Sequence, residues 1–132
     1  MMNDQALIQF LRQAIPDLIA LYRFGSHVKG NTRQDSDIDL AVLALTRTPV
    51  ERLFHLAQEL AIQVGRNVDL LDLRSTTTVM RAQIISTGRC LKSHDDQARA
   101  EFEMYAYSDY ARLNEERREL LKDIKERGLI YG

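Results

Sequence analysis

After the dipeptide Gly25-Ser26 and ten intervening residues, the chain places two carboxylates, Asp37 and Asp39, at the head of an otherwise apolar run, DIDLAVLA. Side chains alternate along a strand, so Asp37 and Asp39 project from one face while Ile38, Leu40 and Val42 turn to the other, into a core. At about 4 Å, two like charges repel by roughly 4 kcal/mol at an effective dielectric of about 20. Stability alone does not select that arrangement, whereas a cation held between the carboxylates accounts for it. Oxygen-only ligands on a partly open face suit magnesium, which keeps waters and completes its shell with substrate phosphates.

The segments around this pair read as a small α/β (α+β) domain. Asp4 to Ile15 carries Leu7, Leu11 and Ala14 on one helical stripe, and Pro16 closes it. Leu18 to Phe24, LIALYRF, reads as a buried strand, and Asp37 to Ala44 as a second. Thr48-Pro49-Val50-Glu51 predicts a helix start, with Thr48 as N-cap, proline at the first helical position and the glutamate closing a capping box. Leu53, Ala57, Leu60 and Val64 then form an apolar face that Gly65 terminates, before a third strand over Asn67 to Leu73. A short helix from about Thr76 to Ser86 turns Val79, Ala82 and Ile84 or Ile85 inward. Arg89 to Lys92 is a candidate edge strand. A long helix spans roughly Asp96 to Glu126, with Ala106, Tyr110, Leu113, Leu120 and Ile124 near one stripe. The reading is one domain over residues 1–132: a core of about 1–94, a small mixed sheet with helices packed on it, and a C-terminal helical extension of about 95–132.

Gly25 and Ser26 follow the first strand directly. A glycine there lets the backbone approach a ligand closely, exposed N–H groups at such a turn bind phosphate, and the Ser26 hydroxyl adds a hydrogen bond. Lys29 and Arg33 in the following loop are placed to attract a triphosphate; His27 reads as solvated. Asp69 supplies a third carboxylate on a strand separated from Asp39 by one helix, so that the two strands can be sheet neighbours. In a two-metal site, with cations about 3.5–4 Å apart, Asp37 and Asp39 bridge both ions while Asp69 serves the ion beside the nucleophile. Asp72 lies close by as the alternative, but it stands at the strand's exit, whereas Asp69 is flanked by Val68 and Leu70.

Taken together, GSHVKGNTRQDSDIDLAVL resembles the nucleotidyltransferase signature of the DNA polymerase beta superfamily, and more narrowly the prokaryotic minimal nucleotidyltransferases. The resemblance runs from about Leu18 to Leu73, and more loosely to the end of the chain. It implies a palm-like mixed sheet with Gly25, Ser26, Asp37, Asp39 and Asp69 as functional positions, Gly30 and Ser36 also matching. Lys29 stands where an arginine is common, which keeps the positive charge but not bidentate contact. Also implied are ATP as substrate, two Mg2+ ions, and, for members that act as antitoxins, a HEPN-domain ribonuclease toxin as partner, silenced by AMP placed on a tyrosine.

Other features bound the function. The formal net charge of −1 gives no global attraction to extended nucleic acid, whose binding is driven by phosphate neutralisation. No apolar run spans a bilayer and the N-terminus has no signal-peptide core; with Cys90 as the single cysteine, a cytoplasmic setting is expected. Three scattered histidines and that cysteine have no zinc-ligand spacing. Of the long helix, the plain reading is packing across the core, and the alternative is a partner-binding face through Tyr107 and Asn114. Two further functions fit the same residues: transfer to a small aminoglycoside-like hydroxyl, or a non-catalytic antitoxin that neutralises its partner by occlusion.

Overall fold

The computed structural model describes residues 3–25 and 37–128. Its elements run α1 (Asp4–Ala14), β1 (Leu18–Phe24), β2 (Ile38–Ala44), α2 (Val50–Val64), β3 (Val68–Asp72), α3 (Thr78–Thr87), β4 (Arg89–Ser93) and α4 (Asp96–Glu126). The strands form one mixed sheet in the order β3-β2-β1-β4. β1 pairs antiparallel with both β2 and β4, while β2 and β3 lie parallel, joined through α2. This is the mixed sheet with packed helices that the sequence leads one to expect.

Both faces of the sheet are covered, which is why β1 and β2 read as continuous apolar runs. On one face Leu21, Leu40 and Val42 meet Leu7 and Leu11 of α1 and Leu53, Leu56 and Leu60 of α2. On the other, Tyr22, Ala41 and Leu43 meet Ile84 of α3, with Phe102 of α4 packed alongside.

Four local expectations are corrected. Helix α1 stops at Ala14, because a residue preceding proline is pushed out of the α region; Ile15 sits at φ −123°. Thr48 does not cap α2: the cap position falls to Pro49, with no side-chain cap bond. Thr48 is instead buried, and its N–H donates to Asp72 Oδ2 at 3.0 Å, which ties the start of α2 to the exit of β3. In α3, capped by Thr77 through Met80 N–H at 3.1 Å, Val79 is exposed, and Met80 takes the inward position. In α4 only Ala106 of the expected stripe is buried, and Leu120 lies in solvent. Tyr22 anchors α4 to the sheet, its hydroxyl donating to Glu103 Oε2 at 2.9 Å.

Candidate active site

The carboxylates gather at the end of the sheet where β1 leaves it. Phe24 pairs with Asp39 across β1 and β2, and Asp39 pairs in register with Asp69 across β2 and β3. Register partners in neighbouring strands project to the same face, so these two acids stand side by side. The Ile38 N–H donates to the Asn67 carbonyl at 2.9 Å, locking the starts of β2 and β3 together. Asp37 precedes β2 by one residue and is exposed.

Asp39 registers this crowding. Partial burial pushes its carboxyl above the usual carboxylate range, the negative charges of Asp69 and then Asp37 push it further, and a side-chain hydrogen bond with Asp69 adds to the rise. The Arg23 guanidinium pulls weakly the other way. The three acids are therefore electrostatic neighbours, as expected. They do not form a closed three-ligand cation cage among the described residues. An open wall of oxygen donors still fits magnesium, which draws much of its octahedral shell from water and substrate phosphates.

Gly25 closes the arrangement. It takes φ +88°, a conformation that L side chains rarely adopt, and a Cβ there would collide with Asp39 Oδ2. Backbone and carboxylate thus approach more closely than any other residue permits. Ser26 and Lys29, together with His27, Gly30, Arg33 and Ser36, lie outside the described residues.

Asp72 has different work. It is 3 % exposed and accepts from the Thr48 N–H, the Arg74 N–H and the Ser75 hydroxyl, each at 3.0 Å. Its oxygens are engaged in holding chain turns together, whereas Asp69 faces Asp39.

Sequence reasoning missed Arg23, a cation 5 % exposed whose register partner is Leu40, so that it projects to the opposite face of the sheet from Asp39 and only weakly offsets the carboxylate charge. It is held by Asp4 at 3.3 Å, which also pairs with Arg89 at 3.2 Å. The available signal was one charge inside the apolar run LIALYRF. His55 is exposed.

A mixed sheet covered by helices on both faces is the architecture of a nucleotidyltransferase palm, and comparison with known proteins agrees on that fold. Residues 5–97 match the family described as polymerase beta, nucleotidyltransferase, and the chain belongs to it. More narrowly, it is 37% identical over 125 residues to the protein adenylyltransferase MntA of Shewanella oneidensis, covering 93% of this chain and 88% of that protein. A toxin–antitoxin crystal structure with AMP-PNP superposes with a TM-score of 0.83 at 36% identity, over 94% of this chain and 99% of its counterpart. The complex of a tri-AMPylated Shewanella oneidensis HEPN toxin with MNT antitoxin contains a chain matching with a TM-score of 0.76 at 34% identity, over 92% of this chain and 95% of that one. No helix among the described residues is long and apolar enough to cross a membrane.

Proposed function

We propose that this chain is an antitoxin that acts as a protein adenylyltransferase, moving AMP from ATP onto a tyrosine hydroxyl of a HEPN-type toxin in the cytoplasm. The observation that carries the reading is the register pairing of Asp39 with Asp69 beneath Gly25. Support for the acceptor comes from the relatives, one a protein adenylyltransferase and one bound to a tri-AMPylated HEPN toxin.

Asp37, Asp39 and Asp69 are the residues that hold magnesium in this reading. When bound, the metal supplies positive charge for the phosphate oxygens and for the departing pyrophosphate. Gly25 and Ser26 give the triphosphate a close backbone approach, and Lys29 adds charge at the same loop. The acceptor oxygen bonds to the α-phosphorus as the bond to the bridging oxygen breaks, and pyrophosphate leaves with that electron pair. The hydroxyl proton passes to a carboxylate oxygen of Asp69. Alignment and fixed charge carry the chemistry, as in other phosphoryl-type transfers.

The test is the intact mass of a HEPN toxin after incubation with the chain, ATP and magnesium. The expected result is a toxin heavier by one or more AMP units and stripped of ribonuclease activity. A toxin silenced at unchanged mass would replace transfer by simple occlusion.

A further inference from the structure

Helix α2 carries two apolar stripes. One, through Leu53, Leu56, Leu60 and Val64, is buried against the sheet. The other repeats at i, i+4 and i+12 through Val50, Phe54 and Ile62, which are 74%, 60% and 84% exposed. Folding of the described residues makes no use of this second stripe. It forms one wall of a groove of about 910 Å3 whose other wall is β3 and whose lining includes Asp37 and Asp69.

We propose that this groove seats the acceptor segment of the partner toxin, an uncharged stretch with apolar residues flanking the hydroxyl that receives AMP. The proposal rests on the transferase reading and adds to it where the acceptor lies. Three observations select this occupant. The groove leads to the carboxylates, so a chain lying in it brings its hydroxyl to the transfer centre. No lysine or arginine lines it among the described residues, and apart from Asp37, Asp69 and Asp72 its lining is uncharged, which suits an uncharged protein segment. Finally, β3 ends the strand order, and its outer edge pairs with no other strand among the described residues, so an extended segment can add its own backbone hydrogen bonds there.

The experiment measures AMP transfer to the Shewanella oneidensis HEPN toxin, with AMP-PNP binding measured in parallel, for the wild-type chain, Phe54→Glu and Ile62→Glu. Both side chains are already largely in solvent, and thermal melting confirms that each variant is folded; Ile62→Glu, the more exposed site, decides if Phe54→Glu melts early. The expected result is a rise of about tenfold or more in the KM for toxin, with kcat at saturating toxin and AMP-PNP affinity within about twofold of wild type. An unchanged KM for toxin in both variants would overturn the groove assignment, as would a matching loss of AMP-PNP affinity, which would give the groove to the nucleotide. Absence of transfer by the wild-type chain would instead overturn the function on which the proposal stands.

Discussion

At the scale of single residues, two aspartates three positions apart in β3 differ in setting, Asp72 buried in structural hydrogen bonds and Asp69 proposed to serve the chemistry. Asp72 accepts three hydrogen bonds in a buried setting, so Asp72→Ala strips partners from the Thr48 and Arg74 amides and from Ser75. That loss is expected to cost about 3 kcal/mol, readable as a lowered urea midpoint. Asp69→Asn removes a carboxylate from the crowded pair, and is expected to abolish transfer while leaving the midpoint unchanged or raised. Finding Asp69→Asn as destabilising as Asp72→Ala would contradict this division. Gly25→Ala forces a Cβ against Asp39 at positive φ, at a conformational cost of about 1–2 kcal/mol, and should impair transfer together with stability.

Asp39 also predicts a pH dependence. Its folded pKa is raised, so the folded state binds the proton more tightly than the unfolded chain does. The stability of the metal-free fold that Asp39 contributes is therefore full below its unfolded pKa and is lost as pH rises through its raised folded pKa. Comparing wild type with Asp39→Asn isolates this one group. The expected result is a stability advantage for Asp39→Asn at neutral pH that shrinks on acidification through the carboxylate range; a pH-independent difference would contradict it. The crowding was legible in the sequence because alternation and a single intervening helix bring Asp39 and Asp69 together on rules of local geometry. The role of Arg23 was not: its partner Asp4 lies in another element, and no spacing rule couples them.

At the scale of elements, the apolar runs and helix periods were readable to within a residue or two, and the misplacements of Thr48 and Val79 share one cause. Thr48 carries a sound capping sequence, yet a buried acceptor from β3 claims its amide, and a tertiary bond outweighs a local preference. Val79 looked inward on helical period, but α3 is packed from the sheet and from α4 together, and Met80 and Ile84 reach that corner. The seam between β1 and α4 makes its own prediction. Burial and the neighbouring Glu103 carboxylate raise the Tyr22 hydroxyl far above its ordinary pKa, so it remains a proton donor to Glu103. Tyr22→Phe removes a charge-assisted bond and is expected to cost about 1.5–3 kcal/mol in chemical denaturation. Because the Asp39–Asp69 register lies elsewhere in the sheet, ATP affinity should stay at the wild-type value; a shifted affinity would show that α4 bears on the site.

At the scale of the whole molecule, the sheet order joins a parallel β2–β3 pair to an antiparallel β2–β1–β4 set, and the acids collect at the end where β1 turns away. The elements and their sequence order foreshadow this, but the placement of β4 beside β1, on the edge opposite β3, depends on contacts between distant segments that no local pattern encodes. The groove was hidden for the same reason. Phe54 and Ile62 look like ordinary surface apolar residues until β3 is set opposite them. What the molecule as a whole provides is a rigid, two-sided sheet that holds like charges together against their repulsion. The most direct test is AMP transfer from α-labelled ATP with magnesium, for the wild-type chain and Asp39→Asn, with melting of each recorded without metal. Loss of transfer by about a hundredfold or more, with a melting temperature equal to or above that of wild type, is the expected result. Wild-type transfer by Asp39→Asn would contradict the account at its centre.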